Sequence, residues 1–226
     1  MIVRAALCPS PPLLAPGVTG QTVLLPDLRQ ACAAAVGWLV GAAPDTVAVI
    51  GPAAATATWP PESVPDLAMH APAVYAGPSA LPLALAIAGF LLDAAGYSGP
   101  RILQSVAESA SPGACQQLGR DLAATAPRVA LLVMGDGSAR RSAAAPGYLD
   151  DRAEPFDATV EQAIREGNLA ALAALDPDLA RDLLATGRSA WQALAGAAPT
   201  CPQTELLYSA APFGVAYLVA TLTPAP

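Results

Sequence analysis

Gly135-Asp136-Gly137-Ser138-Ala139-Arg140-Arg141 brings a carboxylate, a hydroxyl and two guanidinium groups together directly behind the apolar run Val129-Ala130-Leu131-Leu132-Val133-Met134. Groups of this kind can orient a polar ligand through charge-assisted hydrogen bonds. The run reads as a buried strand, and open α/β sheets bind ligands beyond the carboxyl ends of their strands. A competing reading has Asp136 capping its own loop and pairing with Arg140 or Arg152, and both stay open. Tyr148, Asp150, Asp151 and Arg152 continue a polar loop for which a solvated surface is the simpler reading.

Counting imidazoles narrows the chemistry. The chain holds one histidine, His70, in Ala68-Met69-His70-Ala71-Pro72. A metal site with two His is therefore impossible within one chain, and a Ser–His–Asp triad would have to use His70. Its small apolar neighbours favour a structural or surface role. Cys8 stands at a strand end, where a nucleophile could be placed. It has no nearby His or Lys to form a thiolate, so an inert thiol is favoured. Cys8, Cys32, Cys115 and Cys201 are scattered without a CxxC spacing and read as small buried hydrophobes. The glycines fall into neither a GxGxxG nor a GxxxxGK[ST] pattern, and no GxSxG elbow is present.

The 226 residues are 54 % hydrophobic and 13 % charged, ample for a core and incompatible with extensive disorder. The 11 basic residues are all Arg, the net charge is −7, and no basic stripe exists. Nucleic-acid binding is excluded on that ground, because neutralising phosphates needs clustered cations. No signal peptide is evident at the N-terminus. The apolar stretches near 31–43 and 81–95 are shorter than the roughly 20 residues that span a bilayer. A cytoplasmic protein that does not enter membranes is expected.

Strands are expected at Ile2–Leu7, Thr46–Ile50, Ile102–Val106 and Val129–Met134, and a closing hairpin at Glu205–Tyr208 and Val215–Leu222. Cys8-Pro9-Ser10-Pro11-Pro12 ends the first strand, and Gly51-Pro52-Ala53 is expected to turn the chain out of the second. The stretch from there to His70, with Trp59-Pro60-Pro61, reads as a long ordered loop. The spacing of Leu24, Leu25, Leu28, Cys32, Val36, Leu39 and Val40 gives a helix over 23–41. A nearly all-apolar helix over 81–95 opens near Ser79. Ser111-Pro112 starts another that runs to about Thr125. Three short helices follow the polar loop: one carrying Phe156, Val160 and Ile164, one from Asn168, and one from Asp176-Pro177 that Gly187 interrupts. Alternating strands and helices with a terminal hairpin imply a single α/β domain over 1–226. Its central mixed β-sheet is flanked by helices, with a helical insert at about 154–197.

The order of these landmarks resembles the class III extradiol ring-cleavage dioxygenases, the family of the protocatechuate 4,5-dioxygenase catalytic subunit, and the related Memo-type proteins. Ala6-Leu7-Cys8-Pro9-Ser10-Pro11-Pro12-Leu13-Leu14 resembles the opening strand and His-Pro-Pro rim. Met134-Gly135-Asp136-Gly137-Ser138-Ala139-Arg140 resembles a Gly-Asp-x-Ser-His-Arg segment. Phe156-Asp157, then Glu166-Gly167-Asn168-Leu169-Ala170-Ala171-Leu172 and Leu175-Asp176-Pro177, resemble the helical stretch. Pro212-Phe213-Gly214-Val215-Ala216-Tyr217 is similar to the closing hairpin.

The resemblance implies Fe(II) held by two His and one carboxylate, with a further His as acid/base. It also implies a homodimer. The departures fall on those positions. Ser10 stands where the rim would carry a ligand His, and Ala53, in Gly51-Pro52-Ala53-Ala54, where the second would be. Ala139 takes the place of the base, and Ala185-Thr186-Gly187 that of the segment bringing a Glu ligand. The expectation is a cleft lined by Ser10, Asp136, Ser138 and Arg140 that holds neither iron nor another cofactor. Its role would be non-catalytic binding of a small-molecule ligand or a partner. One alternative is metal-independent chemistry on a small carboxylated or aromatic substrate, with Asp136 as base or orienting group and Arg140 or Arg141 as clamp. Another is an assembly protein whose apolar helices form an oligomer interface.

Overall fold

Val129–Met134 (β5) has no exposed residue, and its six positions alternate between two cores. Leu131 and Val133 enter one, and Ala130, Leu132 and Met134 the other. A strand covered on both faces must be apolar throughout, hence the unbroken run. The protein is described from a computed structural model covering residues 1–20, 22–63, 81–201 and 203–225. His70 and Ser79 lie outside the described residues.

β5 pairs in parallel with β1 (Ile2–Cys8) on one side and β2 (Thr46–Ala53) on the other. β4 (Arg101–Ala107) continues the parallel set beyond β2. Antiparallel strands close both edges: β3 (Ala57–Trp59) on β4, and β7 (Tyr217–Thr223) with β6 (Gln203–Ala210) on β1. The seven-stranded sheet therefore runs β3-β4-β2-β5-β1-β7-β6. This is the mixed sheet flanked by helices that the strand–helix alternation implies.

One face carries α1 (Pro26–Val40) and α2 (Leu83–Ala94). The other carries α3 (Pro112–Ala123) and the insert: α4 (Ala153–Arg165), α5 (Leu169–Ala173), α6 (Pro177–Asp182) and α7 (Arg188–Ala197). The helix starts at Ser111, Asn168 and Asp176 are built as their residue types dictate. Their side chains accept from the N–H groups of Ala114 (3.3 Å), Ala171 (3.2 Å) and Asp178 (2.9 Å). α3 and α7 approach closely at glycines: a Cβ on Gly119 would run into the Ala193 carbonyl, and one on Gly196 into that of Gln116.

Four local expectations are corrected. β2 does not turn out at Gly51; it continues to Ala53, paired with Ala107 of β4. Its pairing with β5 ends at Ile50. Beyond that point Pro52 sits where one side of the strand has no partner, the position in which a strand tolerates Pro. The loop after it contains β3. α1 begins at Pro26, because Leu25 takes a left-handed backbone (φ 52°) and cannot belong to a right-handed helix. The insert holds a separate fourth helix after Gly187, and it begins at Ala153.

Candidate functional site

Cys8, Ala53, Ala107 and Met134 end the parallel strands on one side of the sheet, with Cys8 aligned to Met134 and Ala53 to Ala107. The segments leaving these ends form the rim. The backbone N–H of Ser10 donates to Oδ1 of Asp136 at 2.7 Å, tying the exit of β1 to that of β5. From the insert, the Thr186 hydroxyl oxygen accepts from the Asp136 N–H at 3.4 Å, and the Gly187 N–H donates to the Asp136 carbonyl at 2.9 Å. Gly135 permits this approach: a Cβ there would collide with the backbone of Gly187. Ser10, Asp136 and the Ala185-Thr186-Gly187 turn are thus neighbours although far apart in the chain.

The Asp136 carboxylate receives only the Ser10 N–H and has no ion pair among the described residues. Neither Arg140 nor Arg152 is its partner. Burial lifts its pKa from 3.8 to about 6, and the Ser10 hydrogen bond opposes the rise. Tyr217, almost fully buried, feels the same carboxylate: desolvation and the Asp136 charge both push its phenol up.

Ala53 accepts a hydrogen bond from the Glu108 N–H at 3.0 Å. Glu108 and Ala185 line one cavity of about 370 Å³ together with Ser109, Arg181, Leu184 and Thr186. Its size falls in the small-molecule range, and it sits at the strand ends where open α/β sheets take ligands. Burial pushes the Glu108 carboxyl up while the nearby Arg188 guanidinium pulls it down. Sequence reasoning passed over Glu108. Its position immediately after the strand expected at Ile102–Val106 is the available signal.

Ser138, Ala139 and Arg140 do not line this cavity. Ser138 is fully buried, donating from its backbone to Asp157 Oδ1 (2.8 Å) and from its hydroxyl to Oδ2 (2.6 Å). Arg141 completes this cluster, contacting Asp157 Oδ2 and Glu154 Oε1 at 3.2 Å each. Burial raises the Asp157 pKa against the hydrogen bonds from Ser138 and Arg141. Ser138 is therefore a structural hydroxyl rather than part of the cleft lining. Ala139 is bound to the insert, its N–H donating to Leu183 and its carbonyl accepting from Gly147, both at 3.0 Å. Arg140 runs beside Gly147 and Leu184.

Cys8 is buried, and a hydrogen bond with the Cys32 thiol together with desolvation pushes its pKa well up. That environment disfavours thiolate chemistry. In the loop at Asp150, Arg152 holds Asp150 at 2.9 Å and Asp182 at 3.3 Å.

No family model matches the sequence, and no curated protein matches it. Among solved structures, the chain is similar to the crystal structure of uncharacterized protein JW3007 from Escherichia coli K12. The two share 13 % identity at a TM-score of 0.57, over 98 % of this chain and 99 % of that one. At that identity the likeness carries the fold alone. Among the described residues, no helix is long and apolar enough to cross a membrane.

Proposed function

We propose that this chain is a class III extradiol dioxygenase-like protein that has lost the iron ligands and the acid/base His. It serves as a non-catalytic binding protein for a small-molecule ligand or a partner. One observation carries the reading: among the described residues the Asp136 carboxylate meets only the Ser10 backbone N–H and the Asp136 N–H only the Thr186 hydroxyl, with no second carboxylate hydrogen-bonded or ion-paired there. Fe(II) in such folds needs two imidazoles and a carboxylate. A chain with one His cannot supply them, so the residues present do not fit the metal. The cavity between Glu108 and Ala185 supports binding in place of ring cleavage.

The test is direct. Protein loaded anaerobically with ferrous ion, then desalted, is expected to retain substoichiometric iron and to leave catechols uncleaved. Stoichiometric iron that is lost in Asp136→Ala, accompanied by ring cleavage, would overturn the reading.

A second reading has its own support in the raised pKa of Asp136, which suits proton transfer near neutrality. Here Asp136 serves as base or orienting group for metal-independent chemistry on a carboxylated or aromatic substrate, with Arg140 as clamp. A turnover abolished in Asp136→Asn with folding intact would favour it over the first. A homodimer and a cytoplasmic location complete the proposal. Light scattering that gives a monomer at micromolar concentration would remove the dimer.

A further inference from the structure

Of the 11 arginines, Arg140 is the one whose side chain makes no hydrogen bond or ion pair among the described residues. Each of the others is engaged. Arg4, Arg29 and Arg128 bind backbone carbonyls, Arg120 binds Gln117, and Arg188 binds Gln192 and two carbonyls. Arg101, Arg141, Arg152, Arg165 and Arg181 pair with carboxylates. Arg140 is nevertheless part-buried, and its Nε is fully buried without a partner. A buried donor left unmatched destabilises a fold, and the terminal guanidinium nitrogens, also without a partner among the described residues, are the part of the group that a ligand can reach. Asp150 is the carboxylate that feels its charge, but the Asp150 oxygens are committed to Arg152.

The surroundings say what would satisfy it. At Gly147 the Arg140 stem and the Leu184 side chain converge, each within 2.7 Å of the point where a Cβ would stand. Leu184 also lines the 370 Å³ cavity with Pro177, Ala180 and Ala185. It is 42 % exposed, and Tyr148, next to Gly147, is 75 % exposed. Both hold left-handed backbones, φ 56° and 59°, unusual for bulky side chains. The side chain with the unpaired guanidinium thus packs at Gly147 against Leu184, an exposed apolar residue on the border of the cavity that Glu108, Asp178, Arg181 and Arg188 also line.

We propose that Arg140 is an anion-binding residue that clamps the carboxylate of a ligand whose apolar body lies along Leu184 and Tyr148. The guanidinium fork matches a carboxylate by two parallel N–H···O bonds. This rests on the binding reading above and names the chemistry of its ligand.

The test titrates hexanoate, its neutral isostere hexanamide and inorganic phosphate calorimetrically into wild type, Arg140→Met and Arg140→Lys. Hexanoate is expected to bind wild type and to bind Arg140→Met at least about tenfold more weakly, as for loss of a charged hydrogen-bonding partner. Arg140→Lys keeps the charge without the fork and should fall between them, while hexanamide gives no heat. Because the guanidinium makes no hydrogen bond or ion pair among the described residues, Arg140→Met should melt close to wild type without ligand. Hexanoate that binds both proteins equally, or neither, overturns the proposal, as does a clearly lower melting temperature of Arg140→Met. Phosphate binding tighter than hexanoate overturns the carboxylate assignment. Iron measured in the same preparations keeps the two ideas apart: stoichiometric iron with an Arg140-dependent hexanoate signal would sink the iron-free reading and leave this one standing.

Discussion

The Ser10 N–H and the Asp136 carboxylate meet at 2.7 Å, joining residues 126 apart in the chain at the point where two adjacent parallel strands end. One backbone donor satisfies one carboxylate oxygen in a poorly solvated rim. The charged form is therefore under-supported, and the group holds its proton more tightly than in the unfolded chain.

The sign of the pH dependence follows. The folded pKa, about 6, lies above the unfolded value of 3.8. Its contribution to stability is fully present below the unfolded value and is lost as pH rises through the folded one. Asp136→Asn keeps an acceptor for Ser10 and removes the titration. It should be more stable than wild type at pH 7–8 by on the order of 2 kcal/mol, with the difference shrinking to nothing near pH 4. Urea midpoints of the two proteins between pH 4 and 8 measure this. A difference that does not change with pH would refute it.

The Asp157 carboxylate holds the start of the loop in place by accepting from the Ser138 backbone, the Ser138 hydroxyl and Arg141. Asp157→Ala strands all three donors and should cost about 3 kcal/mol. Glu154 is 78 % exposed and contacts only Arg141, so Glu154→Ala should change stability by less than about 1 kcal/mol. Thermal melts of both variants, side by side, distinguish buried cluster from surface pair.

Two glycines on α3 should respond in opposite directions. Gly119→Ala would force apart α3 and α7 at the Ala193 carbonyl and should cost more than about 3 kcal/mol. Gly113 is exposed in the first turn of the same helix and a Cβ there meets nothing, so Gly113→Ala should add about 0.5 kcal/mol. Denaturant unfolding reads both; equal effects would mean that α3 and α7 do not pack as described.

Arg188 is 3 % exposed and joins the start of α7 to the carbonyls of Glu108 and Ala110 and to Gln192. It forms the inner wall of the cavity by those bonds. Arg188→Leu keeps the apolar stem but leaves these acceptors unmatched, at a cost of roughly 2–4 kcal/mol. Amide exchange should quicken at 107–110 and 186–192 more than at β1. Uniform quickening would point to a global effect instead.

What the sequence determined by itself is local. The apolar run of β5, the caps at Ser111, Asn168 and Asp176, and the strand–helix alternation could be read because each depends on residues within a few positions. The count of one His fixed an upper limit on metal chemistry without any structure. The tertiary structure alone decided the strand order, the continuation of β2 through Pro52, and the partners of the rim. Asp136 could be placed after a strand from its neighbours. Whether it would meet Arg140, Arg152 or Ser10 depended on which strand lay beside β5, a matter of long-range pairing. The same holds for Ser138, which proximity in sequence placed in the cleft and Asp157 of α4 draws away from it. Among the described residues the Arg140 side chain is left without a partner for the converse reason: the fold brings the nearby carboxylates to Arg141 and Arg152 instead.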